Sequence, residues 1–526
     1  MNSHPWSKGI GRFLGWRLNA CALVVMMALL PSLWLGFSTL HGSGLKDAWS
    51  GPFLGALWRS LALSSAVLVI ALALGWPLGT LMGLARFPGR RLFLAALVVP
   101  LFTPATLWAI GLSSARSLLP YRHRWWFDGF SGALLTGIVQ ALPLVIVATL
   151  LAVRTLPAAP IEAARLAGGL RSLALASVRF SLAAGLAAAG LGALMAIADP
   201  GPAQIMGYHG VASEVLIAFS ANYDSAQAAG KAIVMTLLLL PMLMPLAWII
   251  SRWSQAHLLG RDLRSASASR GVLSAGGWIW PGVGICLLLL LLPVVGLLPP
   301  LRSSQTPESF AYAWNLLKGS AGATLRVGIT AAVLSTCLGV VFHLAAGRER
   351  AGRLALLLVC FLILSVPPSV HALGFASLAA QLPAAFDSVT RQDFAVGLAA
   401  GLRWLPMPAL FCLMASARLP ESCHDSAVLH GVPALRYHWK VSLPCVLPAM
   451  LASFLLVALA TVADVSSTLL LQPPGTATFT TRIFSIIDST TQRTLSVLCL
   501  VHIGSGLLLI CLGSILLGRW HRRITH

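Results

Sequence analysis

The sequence predicts an all-α polytopic membrane protein with about 12 transmembrane helices, arranged as two tandem six-helix repeats. Three observations lead to this fold class. The 526 residues are 57% hydrophobic and 10% charged, with a mean hydropathy of +0.84, which is too apolar for a soluble globular chain. Long apolar runs alternate with short basic loops. Sequence features also recur at a separation of 263 residues, half the chain length.

Hydropathy gives six runs in the first half that are long enough to cross a bilayer. The first run follows three basic residues and lacks a convincing cleavage site, so we interpret it as an uncleaved span with a cytoplasmic N-terminus. The six runs cover residues 18–37, 57–84, 92–113, 131–152, 182–198 and 229–250. The second half repeats them at 277–299, 322–346, 354–380, 394–416, 444–471 and 494–517. Twelve spans place both termini in the cytoplasm.

The distribution of charge supports this topology. A net charge of +21 would suggest nucleic acid in a soluble protein, but here the basic residues cluster between apolar runs. The predicted cytoplasmic side holds 23 of the 36 lysine and arginine residues and five of the 15 acids, as the positive-inside rule requires. We therefore expect membrane lipids and no nucleic acid as partners. The polar segment 251–276 is interpreted as a cytoplasmic linker between repeats 1–250 and 277–526.

One basic loop, Ile161–Leu182, carries a distinctive pattern. Glu162, Ala163 and Ala164 favour a helix, and the Gly168-Gly169 pair is a natural helix stop. The loop therefore predicts a short helix, a turn and a second short helix. An alanine face allows close backbone approach, which suits a groove on another protein; an ordinary amphipathic connector is the alternative.

The same pattern returns in the second half. Asp425, Ala427 and Gly431 repeat the acid, the alanine and the glycine, and both Glu162–Asp425 and Gly168–Gly431 are separated by 263 positions. The same separation joins Gly89-Arg90 to Gly352-Arg353, Pro104 to Pro367, Gly111 to Gly374, Leu142-Pro143 to Leu405-Pro406, and Leu156-Pro157 to Leu419-Pro420. The chain is therefore interpreted as two fused copies of one membrane unit.

These residues resemble the coupling loop of ABC importer permeases. In the second copy, Gly431, Val441, Leu443 and Pro444 fall at positions 7, 17, 19 and 20 counted from Asp425, as the family pattern asks. Departures are Ser181 in place of the first proline, and Asp425 and Ser426 in place of glutamate and alanine. The resemblance implies two ATPase-coupling loops, 161–182 and 420–444, with these key residues: Glu162, Ala163, Ala164, Gly168, Asp425, Ala427, Gly431 and Pro444.

No stretch matches the phosphate-binding G-x4-G-K-[ST] loop, so we expect no catalytic residues and no cofactor in this chain. The resemblance implies that ATP and Mg are bound by partner ATPase subunits, of which two copies meet the twin loops on the cytoplasmic side. It also implies an extracytoplasmic substrate-binding protein and a place in the bacterial cytoplasmic (inner) membrane.

Two acids occupy corresponding places after the fifth span of each half. Asp199 precedes Pro-Gly and Asp464 precedes Val-Ser-Ser-Thr. Ionisable groups close to a span are functional candidates because an unpaired charge in hydrocarbon costs several kcal/mol. Both could line a central aqueous cavity; helix-end carboxylates facing external water are the alternative.

The segment Asp464–Arg482 is similar to a segment of the fused permeases of ferric-iron importers. Thr468, the three leucines, Pro473-Pro474-Gly475 and Thr481-Arg482 match, whereas Asp464, Ser466 and Gln472 depart from it. In the first half Asp199, Gly201 and Gly207 fit, and Pro200 and Pro202 do not. This resemblance implies ferric iron as the leading substrate and a candidate pathway of Asp199, Asp464, Thr468 and Gln472. Thiamine, aminoethylphosphonate and polyamines remain alternatives.

No metal ligand is assigned, and intramembrane His371 is expected to pack rather than to bind metal. The segment Tyr121–Asp128 mixes cations with tryptophans, so it is expected to anchor at the membrane interface or to contact a binding protein. Two other functions compete with this one. An ion-coupled secondary carrier is also often built from two six-span repeats, but it has no need of duplicated coupling loops. A lipid-modifying enzyme would need clustered His, Asp or Glu at one membrane face, and the sequence shows no such cluster.

Overall fold

The computed structural model describes the greater part of the chain. The described residues are 5–40, 51–154, 158–222, 224–237, 239, 273–274, 279–347, 349–387, 392–416, 419, 421–473 and 475–525. Within them the predicted all-α class is confirmed. One two-residue parallel pairing, β1 (Ala85–Arg86) with β2 (Leu273–Ser274), accompanies the helices.

The helices of the first half, which precede β2, are numbered in chain order. They are α1 (Pro5–Leu40), α2 (Gly51–Leu84), α3 (Arg90–Phe102), α4 (Ala105–Ala115), α5 (Gly129–Arg154), α6 (Ala158–Ala198), α7 (Pro200–Ile205), α8 (Val211–Ser220) and α9 (225–237). The helices of the second half continue this numbering. They are α10 (Trp280–Gly296), α11 (Thr306–Ala346), α12 (Arg350–Ser365), α13 (Pro368–Ala379), α14 (Asp393–Trp404), α15 (Pro406–Ser416), α16 (Glu421–Leu429), α17 (Ala434–Tyr437), α18 (Leu443–Ala463), α19 (Val465–Leu471), α20 (Phe479–Ser485) and α21 (Gln492–Thr525).

Eight described helices are long and apolar enough to cross a membrane, and three bent helix pairs raise this number to 11. The predicted span 229–250 is described only through residue 237 and at residue 239, so most of it lies outside the described residues. The predicted linker 251–276 also lies outside them, apart from β2. Large apolar side chains such as Leu288 and Leu508 are more than half exposed, which suits contact with lipid.

Three predicted spans are bent rather than straight. The helix pair α3 and α4 is bent by 105°, α12 and α13 by 86°, and α14 and α15 by 41°. The first two breaks fall where Thr103 precedes Pro104 and Val366 precedes Pro367, and both residues before proline are extended. Proline lacks an N–H and pushes the preceding residue out of the helical region. As a result α4 and α13 begin inside the bundle, and all described α4 residues but one are buried.

The predicted span 444–471 is wrong at its end. Helix α18 stops at Ala463, and Asp464 begins the short helix α19 by accepting a hydrogen bond from the Ser467 N–H. In the first half Asp199 ends α6 and begins α7 in the same way, with Gly201 N–H as donor. An aspartate at this position satisfies a helix N–H that otherwise has no partner.

We refer to the predicted coupling loops 161–182 and 420–444 as the first and second coupling segments. The helix, turn and helix predicted for the first segment is wrong. Helix α6 runs without interruption from Ala158 to Ala198 through Gly168 and Gly169. A glycine costs only about 1 kcal/mol in a helix interior, and no proline lies between residues 161 and 198. The surrounding alanine and leucine residues therefore carry the helix through the pair.

The same prediction is confirmed in the second segment. Helix α16 ends at Leu429, Gly431 turns with a φ of 64°, and α17 follows Pro433. A left-handed glycine followed by proline is a common helix terminator. The wider π turn His438–Ser442 then leads directly into α18.

The first helix of each half packs against the other half. Helix α1 lies on α11 and α13, and α10 lies on α4. A Cβ added at Gly374 would overlap the carbonyl of Pro31, and one added at Gly111 would overlap the carbonyl of Pro293. The missing side chains let these helices approach at backbone distance. The two halves are therefore intertwined through α1 and α10.

The apolar core also crosses between the halves. One buried cluster joins Phe53 and Met235 of the first half to Leu373 and Leu470 of the second. Another joins Leu107 and Ile110 of α4 to Leu498 of α21 and to α20. The short helices α7 and α19 meet at this boundary, which places the two aspartates that precede them near the middle of the molecule.

Candidate functional site

An ion pair lies at the start of α19. Arg403, near the end of α14, donates a hydrogen bond from Nη1 to Oδ2 of Asp464 over 2.9 Å. The two side chains are only 11% and 7% exposed. Arg403 was not predicted from the sequence, although an arginine inside the apolar run 394–416 is the kind of residue that marks a site in a membrane.

Further donors hold the Asp464 carboxylate in place. Its Oδ1 accepts from the Ser467 N–H at 3.1 Å, and its Oδ2 accepts from the Ser467 hydroxyl at 2.7 Å. The Arg403 guanidinium adds a charge-assisted bond to the same Oδ2. The Asp464 side chain is therefore fixed by its own helix and by α14.

Asp199 approaches the same place from the first half. Its Oδ1 accepts from the Gly201 N–H at 3.0 Å. It faces the Ser466 hydroxyl of α19, and Asp464 and Arg403 act on it electrostatically. The structure thus brings the two predicted acids together. We call Asp199, Arg403, Asp464, Ser466 and Ser467 the central cluster.

A cleft opens beside Asp199, on the side of α5. Its internal space is about 20 Å³, enough for a water-sized group. Thr136 and Gln140 of α5 line it together with Asp199, and Leu63 and Ala105 are among its apolar walls. The Thr136 hydroxyl is already bonded to the Gly132 carbonyl. Asp199 and Gln140 are the other polar side chains of the cleft.

The other two predicted pathway residues lie on α19 and at its end. The Thr468 hydroxyl donates to the Asp464 carbonyl at 2.7 Å, and the residue is 2% exposed. Gln472 caps the end of α19, and its buried Oε1 has no hydrogen-bond partner among the described residues. Thr468 thus supports the helix that Asp464 begins, whereas Gln472 retains an acceptor that a ligand or water can use.

His371 connects α1, the first helix of the first half, to α13. It is 3% exposed, and its Nδ1 lies 3.4 Å from the Ser32 hydroxyl of α1. Its buried Nε2 has no hydrogen-bond partner among the described residues, so the packing role expected from the sequence stays a prediction. Within the described part of the chain, no group of three or more His, Cys, Asp or Glu side chains is placed to hold a metal ion.

The second coupling segment forms a compact hairpin. The Tyr437 ring is buried between His424 and His438, with centroid separations of 5.2 and 5.7 Å. On the other side Val428 and Leu429 are 62% and 84% exposed. The remaining predicted residues of this segment are Asp425, Gly431 and Pro444, which are exposed, and Ala427, which is partly buried.

The predicted residues of the first coupling segment share one long helix. Glu162, Ala163, Ala164 and Gly168 all lie in α6, within its first three turns. Ala163 is exposed. This segment therefore presents a continuous helix, in contrast to the hairpin of the second segment.

The aromatic segment Tyr121–Phe127 forms a 3-10 helix between α4 and α5. Tyr121 is 86% exposed, and Trp125 and Trp126 are both more than half exposed. Arg116 pairs with Asp128 at 2.6 Å across this segment. Exposed tryptophans beside cations suit the membrane interface.

The comparison with protein families concerns the C-terminal part of the chain. Residues 335–526 match the model of the family described as binding-protein-dependent transport system inner membrane component. No match to a curated protein is found. The matched range contains Arg403, Asp464, the second coupling hairpin and α19. The C-terminal part of this multi-pass membrane protein is therefore similar to the permease subunits of ABC importers.

Proposed function

We propose that the chain is the transmembrane permease subunit of a bacterial ABC importer. It moves a small substrate across the cytoplasmic membrane with ATP hydrolysed by separate subunits. The observation that carries this proposal is the hairpin of α16 and α17. It lies inside the range that matches the permease family and exposes Val428 and Leu429 on a short helix. An isolated helix with exposed apolar residues is built to enter a groove on a partner.

The architecture of the hairpin supports a docking role. Tyr437 and its two histidine neighbours fix α16 against α17, and the π turn joins α17 to α18 without a flexible connection. A push on α16 is therefore passed to α18, and from there to Asp464 at its end. This is a direct mechanical route from the predicted cytoplasmic side to the central cluster.

Several structural correspondences support two repeats joined by the linker 251–276. Gly111 and Gly374, which are 263 residues apart, each seat the first helix of the other half. The half-helices α4 and α13 each begin at a proline of a 263-residue pair. Each half therefore supplies one coupling segment, and the importer holds two ATPase copies. In the first half α6 docks as an uninterrupted helix.

Transport in this proposal follows from relative movement of the halves. ATP binding closes the ATPase pair and moves the two coupling segments together, whereas hydrolysis releases them. The central cluster lies where α7 of one half meets α19 of the other. Movement of the halves therefore changes access to Asp199 and Asp464, as expected for a site between repeats.

Ferric iron is the first candidate substrate because the segment Asp464–Arg482 resembles that of ferric-iron permeases. Thiamine, aminoethylphosphonate and polyamines remain alternatives. An extracytoplasmic binding protein delivers the substrate, and both termini of the chain lie in the cytoplasm. An ion-coupled carrier is the competing function, and it needs no ATPase partner.

Co-purification with the ATPase subunit of the same importer tests the proposal. The wild-type chain is expected to retain the ATPase, and Leu429→Arg is expected to lose it because a charge replaces an apolar contact. Leu118→Arg is the matched control, since Leu118 is 49% exposed but lies on the predicted external side. Absence of any ATPase with the wild-type chain, or equal retention by Leu429→Arg, would overturn the proposal.

A further inference from the structure

Each half places one polar side chain of its fourth span near the acid that follows its fifth span. Gln140 and Arg403 are 263 residues apart and stand two residues before Leu142-Pro143 and Leu405-Pro406. Gln140 shares a cleft with Asp199, and Arg403 bonds to Asp464. The molecule therefore contains two corresponding arrangements: Gln140 and Asp199 line one cleft, and Arg403 and Asp464 form an ion pair.

The second pair is closed. Arg403 neutralises Asp464, and the Asp464 side chain is 7% exposed. A guanidinium thus occupies the space in front of this carboxylate. A cationic ligand could reach Asp464 only by displacing Arg403, which would leave a buried arginine without its partner.

The first pair is open. Gln140 is neutral, and Asp199 is half-buried and lines the cleft. Arg403 acts on Asp199 electrostatically, but its hydrogen bond goes to Asp464, and within the described part of the chain no basic residue forms an ion pair with Asp199. A carboxylate against apolar walls is costly unless water or a cation reaches it. The cleft provides space for a water-sized cationic group, such as a metal ion or an ammonium group. The Gln140 amide adds a polar group that places no competing charge there.

We propose that Asp199 and Gln140 bind a positively charged group of the transported substrate, and that Arg403 occupies the equivalent place in the second half. The inference rests on the proposed permease function and specifies its substrate class as cationic. A metal cation and an organic ammonium share this chemistry, so the probes of the experiment distinguish them. The two halves thus differ in role: the first half binds the cation, whereas the second carries a built-in one.

Gln140 permits a test with two substitutions of opposite charge. Gln140→Arg copies the second half and brings a guanidinium to Asp199. Gln140→Glu has nearly the size of the original side chain and adds a second carboxylate. A purely structural role of Gln140 would make the two variants similar. A cation site requires them to differ, with weaker binding in Gln140→Arg and unchanged or tighter binding in Gln140→Glu.

Equilibrium binding of Fe(III), spermidine, thiamine and 2-aminoethylphosphonate is measured on the purified full chain in nanodiscs. At least one of these probes is expected to bind the wild-type chain, with Gln140→Arg and Asp199→Asn each raising the Kd at least tenfold. Size-exclusion chromatography and thermal unfolding of each variant control for folding. Because binding needs no ATPase, a failure of this inference is distinguishable from a failure of the permease proposal.

Three results would overturn the inference. The first is that no cationic probe binds the wild-type chain. The second is that Gln140→Glu and Gln140→Arg raise the Kd equally. The third is that Gln140→Arg tightens binding, which would assign the cleft to an anionic group. If Fe(III) binds and neither spermidine nor thiamine does, the positive charge is that of a metal cation. If spermidine or thiamine binds and Fe(III) does not, it is that of an organic cation.

Discussion

The guanidinium of Arg403 lies 2.9 Å from the carboxylate of Asp464, and both side chains are almost fully buried. This bond joins the fourth span of the second half to the first turn of α19. It also fixes the point at which α18 ends. The same carboxylate accepts two bonds from Ser467, so one residue stops a long helix, starts a short one and neutralises a buried arginine.

Loss of the arginine should therefore be costly. Arg403→Gln leaves the Asp464 charge buried without its partner, and we expect a loss of about 3–5 kcal/mol in the free energy of unfolding. Denaturant unfolding in detergent measures this loss. The double variant Arg403→Gln with Asp464→Asn should recover much of it, because no buried charge remains.

The exposed pair Arg116 and Asp128 is the matched control. Its side chains are 44% and 41% exposed, so Arg116→Gln should change stability by about 0–1 kcal/mol, and less at high salt. Equal losses for Arg403→Gln and Arg116→Gln would contradict the assignment of Arg403 to a buried pair.

A second buried pair should behave like the first. Lys231 of α9 bonds to Glu214 of α8 at 3.0 Å, with side chains 6% and 17% exposed. Its ammonium also lies 5.8 Å from the centre of the Phe53 ring. Lys231→Met should cost about 3–5 kcal/mol by stranding Glu214, and unfolding of Lys231→Met with Glu214→Gln should show substantial recovery. No recovery in the double variant would mean that packing of the lysine stem, not its charge, stabilises α9.

The first helix of each half packs at backbone distance on a glycine of the other half, so the stability of the protein should be sensitive to one added methyl group at that glycine. Gly111→Ala and Gly374→Ala place a Cβ against the backbone of Pro293 and Pro31, so each should destabilise the protein by about 1–3 kcal/mol. Gly284→Ala on α10 is the control, because nothing lies within 4 Å of its Cβ position. Thermal unfolding of the three variants measures the difference. A tolerated alanine at Gly374 would place α1 elsewhere.

The two coupling segments should respond in opposite ways to the same substitution. Gly431 has a φ of 64°, where an alanine costs about 1–2 kcal/mol, so Gly431→Ala should weaken both the hairpin and ATPase retention. Gly168 lies inside α6, where alanine favours the helix by about 1 kcal/mol. Gly168→Ala should therefore be neutral or stabilising. Quantitative co-purification with the ATPase subunit compares the two, and a loss in Gly168→Ala alone would restore the predicted turn.

Hydropathy was sufficient to predict the fold class and the places of most spans, because bilayer crossing requires long apolar runs wherever they pack. It could not predict the broken helices, although Pro104 and Pro367 were recognised as a repeat pair. A single proline is compatible with either a kink or a break, and the packing of the half-helix decides between them. The packing of α1 and α10 on the opposite half could not be predicted either, because an apolar run does not show which helix it contacts.

The sequence pointed to Asp199 and Asp464 by their position, but it gave no partner for either. Arg403 was not predicted as a site residue because it is one polar residue in an apolar run and lies 61 positions from Asp464. The turn predicted in the first coupling segment was wrong for a different reason. Two adjacent glycines permit a turn, whereas a turn also requires some gain from leaving the helix, and α6 offers none.

ATP-dependent uptake is the most direct test of the central claim that this chain is an importer permease. Radioactive Fe(III) is supplied to proteoliposomes that hold the chain, its ATPase subunit and its binding protein, with thiamine, spermidine and 2-aminoethylphosphonate in parallel. We predict uptake of one of these substrates that requires enclosed ATP and both partners. Uptake by the chain alone, driven by an ion gradient without ATP, would contradict the account and identify a secondary carrier.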